Sequence, residues 1–381
     1  MIPKKKVVIV CDKNSRTSFG RLALDLERTL FADFDVSILW LKTPKYFPND
    51  DAALPEERGL KSESLWANSL YSGFFKFKAP LAESLKKLNP TIIFFIRPEI
   101  GFLVPVAKKA CPEAKTVVLI HDTFAETLYP FSLKFKLISQ FYAKPTAKAD
   151  GFVYNSRYSK GEAEKYYGIA GRPNAVTGLP LNALYYHLQT DRMLYQAKRD
   201  SFCADLGIRG FRALVLNVSL PEPRKNIGTF LDMAKERSDI AFVRIGKMTR
   251  DINYQVEKRE LQNVFHFSNL AAPMLREFYR HADLFVMPSF YEGFGLPPLE
   301  AIACGTPVVC AGTTALKEIF EGVCPLVTPA DNVQGYLDVL DDVLAGRFEY
   351  NPQKVADLLE KYSIKTIADK LSVFFYSILD R

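Results

Sequence analysis

Short runs of β-branched and aromatic residues recur along this chain, each followed by a stretch of helical periodicity, and the whole pattern occurs twice in series. In the first half the runs are KVVIV (6–10), DVSILWL (35–41), TIIFFI (91–96), TVVLI (116–120) and GFVYN (151–155), with helices expected near 18–30, 81–88, 134–149 and 156–167. The second half restarts with ALVLNV (213–218), IAFVRI (240–245), VFHF (264–267), LFVMP (284–288), PVVCA (307–311) and CPLVTP (324–329). Its helices are expected near 226–236, 272–281, 298–304 and 331–344. Strands that alternate with helices form parallel sheets covered on both faces, so the class is α/β, doubly wound, and doubled.

Length agrees with the doubling. At 381 residues the chain exceeds one ordinary core, and domains of about 150–200 residues are expected. The reading is a first domain at 1–195, a second at 196–360, and a helix at 361–381 expected to cross back to the first. Residues 182–205 lack strand character and are expected to carry the crossing between halves. Two such domains in series would form a cleft at the carboxyl ends of their strands, where open α/β folds bind ligands.

Composition excludes several classes. Fifty Lys and Arg against 43 Asp and Glu give a net charge of +7, a mild excess that suits an anionic ligand but lacks the dense basic block of a nucleic-acid binder. The six cysteines form no C-x-x-C pair and sit mostly in apolar runs, which fits a reducing compartment. The opening MIPKKKVVIVCD reads as a strand rather than a signal peptide, and no stretch reaches the roughly 20 apolar residues that span a bilayer. The expected location is cytoplasmic.

One segment carries chemistry. In SFYEGFGLPPLEAIACGTPVV (289–309), Glu292 and Glu300 flank a turn containing Gly293, Gly295, Pro297 and Pro298. LFVMPS reads as a strand, FYEGFG as the loop leaving its carboxyl end, and PPLEAIAC as a helix whose first turn tolerates proline. The glycines let backbone approach a ligand, and a helix N-terminus suits phosphate. Carboxylates repel phosphate but grip paired hydroxyls, so acids on both sides of an anion site describe a nucleotide-sugar. A capped surface helix with solvated glutamates has the same spacing.

EGFGLPPLEAIACGTPVV resembles the donor-site signature of family 4 retaining glycosyltransferases of the GT-B fold, and the two-domain layout agrees along nearly the whole chain. The resemblance implies two Rossmann-like domains facing each other across a cleft, the first for the acceptor and the second for the nucleotide-sugar. It implies that Glu300 binds the ribose, that Glu292 meets the donor sugar, and that the amides around Gly293, Phe294, Gly295 and Leu296 lie along the sugar and diphosphate. PEPRKN (221–226) resembles the family's basic loop, making Lys225 and, less closely, Arg224 diphosphate ligands. In the first domain Gly20 of SFGRLALDL resembles the glycine of the loop after the first strand, and His121 of TVVLIHD the histidine facing the donor sugar. Ser156 in YNSRYS is read as a helix cap.

Departures accompany the match. Where many relatives carry arginine, six residues before Lys225, this chain has Ser219, leaving Arg224 or Arg244 as substitutes. The D-x-D at Asp33–Asp35 sits at the start of the second strand with no other acids, so no metal and no cofactor are expected. YSGFFKFKAP (71–80) and YPFSLKFKLISQFYAKPTAKA (129–149) interleave aromatics with lysine, as core or as a peripheral contact with an anionic membrane.

The expected activity is hexosyl transfer to a glycan or lipid-linked hydroxyl in polysaccharide or glycoconjugate synthesis, with retention implied by the resemblance. His121, Glu292 and Lys225 act at the reacting centre, and GDP-mannose is the first donor to try. The alternative is a catalytically silent subunit that binds a nucleotide-sugar or glycan beside a partner enzyme.

Overall fold

The computed structural model describes residues 4–13, 18–30, 32–43, 62–66, 76–123, 140–141, 143–186 and 192–381. The chain divides into two compact units, Met1–Pro180 with Ile364–Arg381, and Leu181–Ser363.

The first unit holds β1 (Lys5–Cys11), α1 (Ser18–Leu30), β2 (Phe34–Lys42), β3 (Ser62–Trp66), α2 (Lys78–Leu88) and β4 (Ile92–Phe95). A 3-10 turn (Pro98–Leu103), α3 (Val104–Ala110), β5 (Lys115–Ile120), β6 (Gly151–Tyr154), α4 (Arg157–Tyr167) and β7 (Asn174–Val176) follow. All seven strands are parallel in the order β3-β2-β1-β4-β5-β6-β7, with Val7 registered on both Val36 and Ile92. The four residues of β4 and of β6 are buried, which is why these strands read as unbroken apolar runs. The order in which strands are added reverses between β1 and β4, a switch point that opens a crevice at the carboxyl ends of the strands.

The second unit holds α5 (Arg192–Asp205), β8 (Leu214–Val218), α6 (Ile227–Glu236), β9 (Ala241–Ile245), α7 (Arg250–Lys258), β10 (Val264–Phe267) and α8 (Ala272–His281). It continues with β11 (Leu284–Met287), α9 (Leu296–Ala303), β12 (Val308–Ala311), α10 (Thr314–Phe320), β13 (Leu326–Val327), α11 (Val333–Leu344) and α12 (Pro352–Lys361). Its parallel order, β10-β9-β8-β11-β12-β13, puts the switch point between β8 and β11. The loops leaving those two strands are the PEPRKN and FYEGFG segments.

The chain then returns to the first unit as α13 (Ile364–Leu379), which buries Leu371, Phe374, Phe375 and Ile378. Phe375 packs edge-on against Phe34 and Phe94, at centroid distances of 5.8 and 5.5 Å. A Cβ at Gly151 would lie 2.5 Å from Ile378, so only glycine lets β6 approach this helix.

The units divide at Pro180/Leu181 and Ser363/Ile364, whereas the sequence suggested 195/196 and 360/361. Residues 192–205 are helix α5, held in the second unit by Phe202, which stacks on His281 at 4.3 Å and meets Phe278 edge-on at 5.2 Å. Residues 134–139 and 142 of the helix expected at 134–149 lie outside the described residues. So do residues 71–75 and 129–139 of the two Phe/Lys stretches; within the described part Phe77 belongs to the core and Phe141 is exposed. No described helix is long and apolar enough to cross a membrane.

Candidate functional site

In the second unit, the residue types at the ends of β8 and β11 explain their geometry. Pro223 opens a 3-10 turn (Pro223–Lys225), and Asn226 follows at φ 51°, a left-handed conformation that asparagine tolerates better than most side chains. Asn226 Nδ2 donates to the Pro288 carbonyl at 2.9 Å and the Ala330 carbonyl at 3.0 Å, tying this turn to the end of β11. The Phe290 amide donates to the Arg224 carbonyl at 2.8 Å, a second tie between the loops.

The side chains meet across that seam. Lys225 Nζ donates to Glu292 Oε1 at 2.7 Å, and Arg224 Nη1 donates to Glu292 Oε2 at 3.3 Å. Arg224 also donates to Glu222 at 2.7 Å and to the Tyr291 carbonyl at 3.2 Å. Burial by itself would raise the Glu292 pKa; the charges of Lys225 and Arg224 outweigh it and hold the carboxylate below its usual range. Two of the residues expected to bind diphosphate therefore clasp the acid expected to meet the sugar.

Gly295 begins α9 at φ 115°, and a Cβ there would come within 2.8 Å of Leu316. Pro297 and Pro298 carry no N–H, so the donors at this helix end are the amides of Phe294, Gly295 and Leu296. The Phe294 ring is buried edge-on to Tyr362 at 5.0 Å. The buried Gly293 sits in the same turn. One turn into the helix, Glu300 Oε2 accepts from the Tyr279 hydroxyl at 2.8 Å. Burial pushes the Glu300 carboxyl up to about 7 despite that hydrogen bond. Tyr279 went unnoticed in the sequence because it lies on α8, where it reads as an ordinary core aromatic.

Ser219 follows β8, its Oγ donating to Asn217 Oδ1 at 2.7 Å. Arg244, at the end of β9, is buried and donates through Nη2 to the Ser219 carbonyl at 2.9 Å and through Nη1 to the Lys247 carbonyl at 3.2 Å. Among the described residues it has no carboxylate partner, and burial lowers its pKa to about 10. Of the two proposed substitutes for the missing arginine, Arg224 is committed to Glu292, while Arg244 reaches residue 219 from the neighbouring strand.

In the first unit, His121 follows β5. Asn155 and Ser159 donate to its carbonyl at 2.7 and 3.2 Å, and the Phe19 ring lies 4.6 Å away, tilted. Its Nε2 is 3.7 Å from Glu99 Oε1 and 3.7 Å from Asp122 Oδ2. Arg97, after β4, donates to both oxygens of Asp12 at 3.0 and 2.8 Å and pairs with Glu99 at 2.7 Å. Burial would raise the Glu99 carboxyl, but Arg97 and then His121 bring it down to about 2. Asp12, Arg97 and Glu99 were not identified from sequence, although an Arg-Pro-Glu directly after IIFFI has the same place as the His-Asp after TVVLI. Gly20 is buried in the first turn of α1, the helix expected at 18–30. Ser156 caps α4, accepting from the Ser159 amide at 2.9 Å. Asp33 and Asp35 lie at the amino end of β2, away from the strands' carboxyl ends. No group of three or more His, Cys, Asp or Glu among the described residues is arranged to hold a metal ion.

Residues 198–362 match the family described as glycosyl transferases group 1. Two curated relatives are the O-antigen chain mannosyltransferase B of Escherichia coli, 32% identical over 130 residues, and the D-inositol 3-phosphate glycosyltransferase of Paenarthrobacter aurescens, 36% identical over 111 residues. Those alignments cover 32% and 28% of this chain, and the chain spans only 34% and 27% of the relatives' own lengths. Among solved structures, Anabaena HepE in complex with UDP and glucose superposes with a TM-score of 0.75 at 16% identity, over 98% of this chain and 100% of that one. Residues 198–362 thus form a group 1 glycosyltransferase domain, in a chain that has the GT-B fold.

Proposed function

We propose that the chain is a retaining, metal-independent glycosyltransferase that moves a hexose from a nucleotide-sugar to a hydroxyl of a glycan or lipid-linked acceptor. The observation that supports this best is the clasp of Lys225 and Arg224 on Glu292, beside the Gly295-opened helix that carries Glu300. An incoming diphosphate competes with Glu292 for Lys225. Lys225 then neutralises charge on the leaving group, joined by the amides of Phe294, Gly295 and Leu296. Glu292, released, accepts hydroxyls of the donor sugar, Glu300 accepts those of the ribose, and His121 orients the sugar at the reacting carbon. The acceptor oxygen bonds to that carbon as its bond to phosphate breaks, and the acceptor proton leaves with the diphosphate. GDP-mannose is the first donor to test, supported by the relative named a mannosyltransferase. A thermal-shift panel of nucleotides and nucleotide-sugars tests the reading, since a ligand of the native state raises Tm with the logarithm of its concentration.

Ser219 favours a second reading, a silent subunit that binds the nucleotide-sugar without turnover; binding with neither transfer nor donor hydrolysis identifies it. Attachment to an anionic membrane through the Phe/Lys stretches belongs to the same proposal. Sedimentation with anionic liposomes should then fall as salt rises and fail on replacing Lys76, Lys78, Lys134 and Lys136, the last two outside the described residues.

A further inference from the structure

Among the described residues, Thr314 is the one β-branched residue at positive φ. At φ 45° its backbone is left-handed, where a branched Cβ crowds the chain and where such outliers persist only if their surroundings hold them. What holds this one is the loop that carries Glu292. The Glu292 amide donates to Thr314 Oγ1 at 3.0 Å, and the Ala315 amide donates to the Glu292 carbonyl at 3.4 Å. One residue earlier, Thr313 stands at the N-cap of α10, where threonine ordinarily accepts from the first turn of its own helix. Its hydroxyl makes no such cap and donates instead to the Ser289 carbonyl at 2.9 Å. Both threonines thus forgo a local role, and the loop leaving β12 grips the loop leaving its neighbour β11 at both ends of the segment 289–292. In the proposed reaction Glu292 loses Lys225 to the diphosphate, and its carboxylate then depends on its own backbone for position.

We propose that Thr314 is a positioning residue for Glu292: its left-handed backbone aims Oγ1 at the Glu292 amide, which fixes the carboxylate for the donor sugar once the diphosphate has drawn Lys225 away. The inference rests on the glycosyl-transfer reading and adds to it a group that acts without touching the substrate. Thr313 braces the same loop through Ser289.

Thr314→Val keeps the branched Cβ and removes the hydroxyl, whereas Thr314→Ser keeps the hydroxyl and removes the branch. Calorimetry with GDP, UDP and ADP, and turnover of GDP-mannose, UDP-glucose and ADP-glucose followed as nucleotide release, compare both with wild type. Thr314→Val should bind nucleoside diphosphate within about twofold of wild type and lose about tenfold in kcat, the scale of one hydrogen bond, while Thr314→Ser recovers most of that loss. Thr314→Gly, which relieves the left-handed backbone as it deletes the hydroxyl, should show the same split in a chain free of the strain. A merely structural contact gives no split, because a collapsed loop takes the amides of Phe294, Gly295 and Leu296 with it and nucleotide affinity falls too. Wild-type kcat in Thr314→Val and Thr314→Gly, a parallel loss of kcat and nucleotide affinity in both, or no recovery in Thr314→Ser overturns the role. A wild type that binds a nucleotide but turns over none of the donors contradicts the transfer reading instead. The role of Thr314 is then decided by nucleotide-sugar affinity, which should fall about tenfold in Thr314→Val, and an unchanged value overturns it. Wild type that binds none of the nucleotides overturns both.

Discussion

Glu292 and Glu99 are both shielded carboxylates beside an arginine, each just beyond the carboxyl end of a parallel strand, yet they are paired differently. Both oxygens of Glu292 are taken, one by Lys225 and one by Arg224. Glu99 has one oxygen held by Arg97 and the other unpaired. Glu292 is paired with Lys225 and Arg224, the latter also with Glu222, whereas the cation Arg97 is paired with the two acids Asp12 and Glu99. In the proposed reaction the first arrangement frees its cations when a diphosphate displaces the acid, whereas Glu99 keeps one oxygen without a hydrogen-bond partner.

The largest expected effect falls on Glu292. Glu292→Ala should lower kcat by about a hundredfold or more, the scale for removing a group that acts at the transition state. Free nucleoside diphosphate should bind it as tightly as wild type or more so, because Lys225 no longer has a competing carboxylate. Steady-state kinetics with calorimetry separates the two effects, and equal losses in both would erase the contrast with Glu99.

Lys225→Ala comes next. Removing a charge-assisted contact worth roughly 1.5–3 kcal/mol should weaken donor binding by about ten- to a hundredfold. It should also lower Tm, since Glu292 keeps only Arg224.

Glu300 sharpens the comparison through pH. Its carboxyl is raised to about 7 by burial, and in the proposed role it accepts ribose hydroxyls more strongly when ionised. Nucleotide affinity should therefore be full above about pH 7 and fall by up to about tenfold per unit below it. Tyr279→Phe removes the donor that favours the ionised form, so the same profile should move to higher pH. Glu300→Ala should cost about 1–3 kcal/mol in nucleotide binding and leave no such pH step. Titration calorimetry across pH 5.5–8.5, on the order of the range that brackets the carboxyl, follows all three.

The smallest effect belongs to Ser219→Arg, which should tighten nucleoside-diphosphate binding a few-fold by adding a fork toward the phosphates. Arg244 already contacts the Ser219 carbonyl, so an unchanged affinity in the variant would indicate that its charge suffices.

How much of this could be read from the chain follows from what each feature depends on. Strands buried on both faces, such as β4 and β6, announce themselves as apolar runs. The edge strands β3, SESLW, and β7, NAV, were missed because each is short and carries polar residues on a partly exposed strand. The glutamates and glycines of 292–300 were legible because loop, turn and helix there are contiguous. Their pairing was not: Lys225 and Glu292 are 67 residues apart and meet only because β8 and β11 are neighbours in the sheet. For the same reason Arg97 and Glu99, after β4, and His121, after β5, formed no visible motif, although each stands as a polar residue just after an apolar run.

The central claim is that the Lys225–Glu292 clasp is where a nucleoside diphosphate binds. Calorimetric titration of GDP, UDP and ADP into wild type and Lys225→Ala tests it most directly. At least one nucleotide should bind wild type and lose about ten- to a hundredfold in affinity in the variant. Binding of equal strength to both proteins, or of none of the three to wild type, would contradict it.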